Sequence, residues 1–277
     1  MKKTFLILSI GLFFGSAAWA ESKCFLAKEH NSVIKQQGDC EIQHSPCSTF
    51  KIAISLMGYD KGILQDETHP ELAFKKGYPD DIDRWKEPHN PRLWMKNSCV
   101  WYSQVLTRKL GMNEFKNHVK NFHYGNQDLS GDKGKNNGLT NSWLSSSLEI
   151  SPKEQITFLQ KLIDNKFPVS HKAHEMTRNI IFVEELPHGW KLYGKTGSGV
   201  LLSADRTQKL DIMHGWFVGW IQKNGRSIVF ANHITDDQKQ DTYTGPRAKA
   251  ETKEKLVNLI DELENDSRVK GVTNPNF

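Results

Sequence analysis

Apolar and polar positions alternate or cluster in three different ways along the chain, and the changes mark its organisation. Cys24 to Gly38 reads as two short strands, Cys-Phe-Leu-Ala and Ser-Val-Ile-Lys, joined near Asn31-Ser32. Lys51 to Met57 is apolar at almost every position apart from Lys51 and Ser55. A helix of that kind is buried on all sides, and Gly62 is placed to stop it in a left-handed C-cap. Residues 65–97 are rich in Pro, Asp, Trp and Lys without a sustained period and read as irregular surface segments. Helical periodicity returns from Tyr102 to Leu110, closed by Gly111, and from Asn113 to Phe122. Tyr124 to Gly138 is loop-like, and Trp143-Leu144 opens a new element. Ser151-Pro152-Lys153-Glu154 is a capping box with Pro at the first helical position, ahead of an amphipathic helix from Gln155 to Ile163.

Past residue 180 the pattern becomes strand-like: Trp190 to Gly199, Gly215 to Ile221, and Ser227 to Asn232. Lys223-Asn224-Gly225-Arg226 is a hairpin turn, because Asn-Gly accepts two positive φ angles in succession. A helix from about Lys249 to Leu263 closes the chain, with Ser267 onward read as a loose tail. Strands at both ends and helices between them predict a mixed α/β (α+β) architecture: a sheet lobe of about residues 21–45 and 175–265, and a helical lobe of about 46–174 inserted into it.

The N-terminus adds a targeting signal. Lys2 and Lys3 precede an apolar run from Phe5 to Phe14 and the small-x-small site Ala18-Trp19-Ala20, so residues 1–20 read as a cleavable signal peptide and residues 21–277 as a single domain exported to the periplasm. Nothing later offers the roughly eighteen apolar residues of a membrane span. Without Lys2 and Lys3 the 37 basic residues become 35 against 32 acidic, a formal charge of +3 with no basic stripe, which gives nucleic acid no purchase. Four cysteines in an oxidising compartment permit three complete pairings. Cys24 and Cys40 bracket the N-terminal hairpin and are the preferred disulfide; Cys40 with Cys47 is the rival, and Cys99 reads as a buried thiol. The sequence is compatible with a monomer or a homodimer.

The chemistry concentrates in three places. Ser-x-x-Lys occurs four times, at Ser32/Lys35, Ser48/Lys51, Ser130/Lys133 and Ser267/Lys270, but only Ser48/Lys51 opens a buried helix. There a hydroxyl and an amine share a face, and the free N–H groups of a helix N-terminus favour developing negative charge. Lys195-Thr196-Gly197-Ser198-Gly199 ends a strand, with Gly194, Gly197 and Gly199 leaving room for a ligand's amide along the strand edge. Ser98-Cys99-Val100 is the third.

Taken in order, Ser48-Thr49-Phe50-Lys51, Ser98-x-Val100, Tyr124-Gly125-Asn126, Trp143 and Lys195-Thr196-Gly197 resemble the active-site pattern of the serine β-lactamases and penicillin-binding proteins, and the class D β-lactamases, or oxacillinases, most closely. The likeness spans Cys24 to Leu263. Class A would carry Ser-Asp-Asn at 98–100 and a separate deacylating glutamate, which has no counterpart here; the Tyr-x-Asn of class C fits Tyr124-Gly125-Asn126 literally, beside an intact Ser-x-Val. The resemblance implies an antiparallel sheet flanked by N- and C-terminal helices, a helical lobe, and an active site between them. It implies Ser48 as the nucleophile that opens the β-lactam amide. Lys51, carboxylated by carbon dioxide, is then the general base, with Trp143 as donor to the carbamate and Val100 and Leu144 keeping it dry. Ser98 passes a proton to the departing nitrogen beside Lys195. The N–H groups of Ser48 and Ser198 form the oxyanion hole, and Thr196 and Arg247 take the substrate carboxylate. No metal or other cofactor is implied.

Other features read as structural. His171 and His174 have helical spacing but no third ligand, and are taken as surface histidines. Asp128-x-Ser130-x-Asp132 lacks the glycine and glutamate of a calcium loop, with Lys133 and Leu139 in their places. Trp216 and Trp220 read as sheet packing. The rival functions are a β-lactam sensor domain, which stays acylated, and a penicillin-binding DD-peptidase.

Overall fold

The computed structural model describes residues 23–238 and 240–272, with side chains to 265. The signal peptide expected at 1–20 lies outside the described residues.

Six antiparallel strands form one sheet in the order β2-β1-β6-β5-β4-β3. Strands β1 (Cys24–Glu29) and β2 (Ser32–Gly38) supply one edge, and β3 (Phe182–Leu186), β4 (Trp190–Leu202), β5 (Lys209–Lys223) and β6 (Arg226–Thr235) the rest. The β5-β6 turn forms as expected, with Asn224 at φ 49° and Gly225 at φ 79°. The central strands are covered on both faces, which is why they read as apolar runs rather than as alternation. Trp216, Val218 and Trp220 belong to the larger core, shared with the helical lobe. Phe217, Ile221 and Phe230 point the other way into a smaller core under α8 (Thr244–Val272). Trp220 stacks on Tyr193 with ring centroids 5.0 Å apart, so these tryptophans do pack the sheet.

The helical lobe comprises α1 (Lys51–Asp60), entered through a 3-10 turn at Cys47–Phe50, then α2 (Pro91–Asn97), α3 (Val100–Leu110), α4 (Met112–Phe122), α5 (Gly138–Asn141), α6 (Pro152–Ile163) and α7 (His171–Ile180). Helix α1 packs against α3, α4 and α7, and every residue from Lys51 to Tyr59 is buried. Each such apolar side chain contributes about 1.5–3 kcal/mol, so α1 is held by its surroundings rather than by its own propensity. Its chain turns away after Lys61 through Gly62 at φ 66°. The capping box of α6 is complete: Ser151 accepts from the Glu154 N–H, and Glu154 accepts from that of Ser151.

Several expectations need correction. Residues 65–97 contain α2, which starts on Pro91 with Asn90 as cap, its side chain accepting from the Leu93 N–H at 3.0 Å. Helix α8 is longer than expected at both ends, and its backbone continues through the supposed tail to Val272. Among the described residues the chain enters directly on β1; the N-terminal flanking helix that the resemblance implies falls outside them. His171 is exposed but His174 is buried at 1 %, because it lies on the inner face of α7. The structure pairs Cys24 with Cys40, tying the start of β1 to the segment beyond β2, and leaves Cys47 and Cys99 as buried thiols.

Candidate active site

Between the two lobes the residues singled out in the sequence meet. Ser48 lies in the 3-10 turn ahead of α1, one of the positions at a helix start whose N–H lacks an intrahelical partner. Lys51, one turn on, reaches back so that its Nζ lies 3.0 Å from Ser48 Oγ. It is wholly buried, and burial lowers its pKa from the usual lysine value to about 8; no carboxylate is among the groups that act on it, only the thiols of Cys99 and Cys47. Trp143, also wholly buried, stacks obliquely on Phe50 at 5.6 Å, and its indole N–H has no acceptor. A buried donor left unpaired costs about 1–3 kcal/mol, which makes it a place prepared for something. Val100 and Leu144 are half-buried at the edge of the same core.

Ser98 caps α2 in the left-handed region at φ 56°, which turns its side chain out of the helix. Its Oγ accepts a short hydrogen bond from Lys195 Nζ. Lys195 is almost wholly buried, and desolvation first, then the charges of Lys51 and Lys249, holds its pKa well below the lysine range. Its other contacts are the carbonyl and hydroxyl of Thr196 at 3.1 and 3.4 Å. Ser48, Lys51, Ser98 and Lys195 are thus two hydroxyl–amine pairs with depressed amine pKa values, the arrangement needed for proton transfer near neutrality.

Strand β4 supplies the opposite wall. It pairs with β5 throughout this region, while β3 reaches only to Tyr193, so its far edge is open from Lys195 on. The Gly194 N–H donates to Ile181 O and the Val200 N–H to Ser145 Oγ, both away from β5. Successive N–H groups alternate, so those of Thr196 and Ser198 point into the same open edge.

The glycines of β4 have a different reason from the one the sequence invited. A Cβ on Gly197 would lie 2.8 Å from Pro46 O, and one on Gly199 2.4 Å from Cys47 Sγ. The room they leave is filled by the chain's own 3-10 turn that carries Ser48, not by a ligand. Arg247 is held through its guanidinium by Asp236 and Thr244 Oγ1, on the α8 side.

Two further contributors had no signal in the sequence. Ser45 donates to Trp143 O at 2.9 Å and accepts from the Ser145 N–H at 3.0 Å, while its carbonyl accepts from Trp216 Nε1 at 2.9 Å. Behind the turn lie His44, His214 and His233: His214 Nδ1 is 3.1 Å from His233 Nε2, and His44 stacks on His233 at 3.9 Å. Burial lowers the pKa of His44 to about 4 and that of His214 to about 3. Small polar residues in loops reveal nothing of such partners until the fold joins them.

A mixed fold with a buried Ser-x-x-Lys helix facing a Lys-Thr-Gly strand is the penicillin-recognising arrangement, and residues 18–257 match the family described as penicillin binding protein transpeptidase domain. The chain is 45% identical over 219 residues to β-lactamase OXA-9 of Klebsiella pneumoniae, covering 79% of this chain and 80% of that one. It is 43% identical to β-lactamase OXA-1 of Escherichia coli, covering 82% and 80%. Among solved structures, the class D β-lactamase OXA-427 superposes with a TM-score of 0.83 at 42% identity, over 87% of this chain and 99% of that one. The chain belongs to the class D β-lactamases.

Proposed function

We propose that the chain hydrolyses the amide of penicillin-type β-lactams through an acyl-enzyme on Ser48 and so confers resistance to them. One observation carries the reading: the amine nearest the nucleophile, Lys51, sits 3.0 Å from Ser48 Oγ in a site that lowers its pKa to about 8. An ammonium could not take the Ser48 proton, whereas an amine titrating near neutrality can be converted into a base. Carboxylated by carbon dioxide, Lys51 would supply a carbamate as general base for acylation and deacylation, a group that the unpaired Trp143 N–H suits and that Val100 and Leu144 would shelter. No other cofactor enters.

The chain's own residues do the remaining work. Ser48 attacks the lactam carbonyl, and the Ser48 and Ser198 N–H groups receive the developing negative charge. Ser98 hands a proton to the departing ring nitrogen, and Lys195, hydrogen-bonded to Ser98, restores it. Thr196 takes the substrate carboxylate. For Arg247 to join it, the guanidinium must bind while held at Asp236 or leave that acid. The basic and apolar segments of residues 1–20 and the Ala18-Trp19-Ala20 site support export to the periplasm, with 21–277 as the mature catalytic domain.

Steady-state turnover of a penicillin tests the function, since a sensor or peptidase would give one stoichiometric burst and stop. Mass spectrometry of trapped enzyme should place the adduct on the Ser48 peptide, and an adduct on any other serine refutes the assignment.

A further inference from the structure

The open site does not end at Thr196. A cavity of about 500 Å³ begins at Gly194, Lys195 and Thr196 and runs toward the start of β3 and the first turns of α8. Its lining holds four cationic side chains, Arg92, Lys96, Lys195 and Lys249, and no Asp or Glu. Phe182, unusually exposed for its size at 46 %, and Phe217 give it apolar walls.

Two of these cations are already engaged: Arg92 forms an ion pair with Glu67, and Lys195 binds Ser98. Lys249 and Lys96 make no ion pair or hydrogen bond among the described residues. Lys249 is half-buried with its Nζ 5.9 Å from the Phe217 ring centroid, and burial lowers its pKa. The acid that acts on it, Glu184, is bound to Lys253 at 2.9 Å. A half-buried cation without a counter-ion is costly, and an anion in the cavity would relieve that cost.

The direction of the cavity says which part of a substrate would enter it. In a bicyclic β-lactam the carboxylate sits on the ring carbon next to the lactam nitrogen. With Ser98 and Lys195 at that nitrogen and Thr196 at the carboxylate, a substituent on the neighbouring ring carbon points past Thr196. The acylamino group, on the other side of the carbonyl, points away.

We infer that this cavity is a subsite for an anionic substituent with an apolar body, carried on the fused ring beside the substrate carboxylate, and that Lys249 and Lys96 set the preference for it. The inference rests on the proposed β-lactam hydrolysis. Its test uses two cephem compounds with the same acylamino group, one with a neutral methyl and one with a carboxyaryl group at that carbon, each measured as a competitor of penicillin hydrolysis. The carboxyaryl compound should bind about tenfold more tightly at low salt, and the advantage should shrink at about 0.5 M salt, where exposed charges are screened. Lys249→Gln and Lys96→Gln should each cut the ratio of the two inhibition constants about threefold, and Lys249→Glu should reverse it. Lys249 also acts on Lys195, so the ratio is the readout, in which a general change in the site cancels. A ratio near one in the unmodified enzyme, or one that the substitutions leave alone, overturns the subsite. Absence of penicillin turnover in the same assay would instead remove the hydrolytic function on which the subsite rests.

Discussion

Lys51 is an amine with no carboxylate to hold its proton, and its reactivity follows from that. With a pKa of about 8, about a tenth of it is neutral at pH 7, against less than a thousandth for an ordinary lysine. Carbon dioxide adds only to the neutral form. Activity should therefore fall as pH drops below about 8 and recover when bicarbonate is added, because protonation competes with carboxylation. A pH–rate profile with and without bicarbonate checks this; an acid limb that bicarbonate does not move would refute it. Trp143→Phe removes a buried donor at the site that lacks a partner. It should raise the bicarbonate needed for half-maximal activity and lower kcat about 10- to 100-fold, as loss of a group orienting a catalytic residue does. Carbon-13 NMR of labelled enzyme should show the carbamate resonance weakened in step. At this scale the sequence marked Ser48, Lys51, Ser98 and Lys195, which the structure pairs, through the order of motifs that carries the resemblance, because Ser-x-x-Lys spacing alone recurs four times. The partner of Arg247 was not marked, since Asp236 is brought to it only by the turn between β6 and α8.

Elements differ in how plainly they were written. Helices α3, α4 and α6 carry a sustained period and end on caps or glycine, and the structure places each within a few residues of its pattern. Strand β3 is five residues of mixed character at the sheet edge, and α2 is seven residues following an irregular stretch, both too short for periodicity to show. The reason for the β4 glycines was hidden for another cause: it belongs to a contact between the strand and the turn that carries Ser48, not to either alone. Gly197→Ala places a methyl 2.8 Å from Pro46 O, a backbone atom that cannot swing aside. Overpacking of this kind costs about 1–3 kcal/mol. It should also shift Ser48, so kcat should fall at least tenfold while the circular dichroism spectrum stays folded; unchanged kcat would refute the contact. The histidines behind the turn set an acid limit. Above pH 6.5 His44 and His214 are mostly neutral whether folded or unfolded. Between 6.5 and about 4 the unfolded chain takes up protons that partly buried His44 resists, so stability falls across that window, by about 3 kcal/mol from His44 alone. His214 extends the loss toward pH 3. Urea unfolding at pH 7 and pH 5 measures it, and His44→Gln should reduce the difference.

For the whole molecule, strands at both ends of the chain and helices between them were enough to indicate two lobes, because order of elements constrains how layers can stack, while a site at their junction came only from the family resemblance. How the lobes are fastened was not legible, and Ser45 shows why. One small residue in a loop joins three distant parts of the chain. Its hydroxyl binds both Trp143 O and the Ser145 N–H of the helical lobe, and its carbonyl binds Trp216 Nε1 of β5. Ser145 Oγ in turn accepts from the Val200 N–H of β4, so the fastening runs from the sheet through Ser45 to the indole beside the site. Ser45→Ala keeps the carbonyl contact but strands a buried carbonyl and a buried N–H, each worth about 1–3 kcal/mol when unpaired. The expected loss of stability is about 2–4 kcal/mol by urea unfolding. Since Trp143 loses an anchor, the bicarbonate requirement should rise as in Trp143→Phe, whereas KM for a penicillin, which the proposed function assigns to Thr196 and the β4 edge, should change little. A variant equally stable but slower would leave Ser45 with a role at the site alone. One less stable with an unchanged bicarbonate requirement would make it a fastener of the lobes and nothing more.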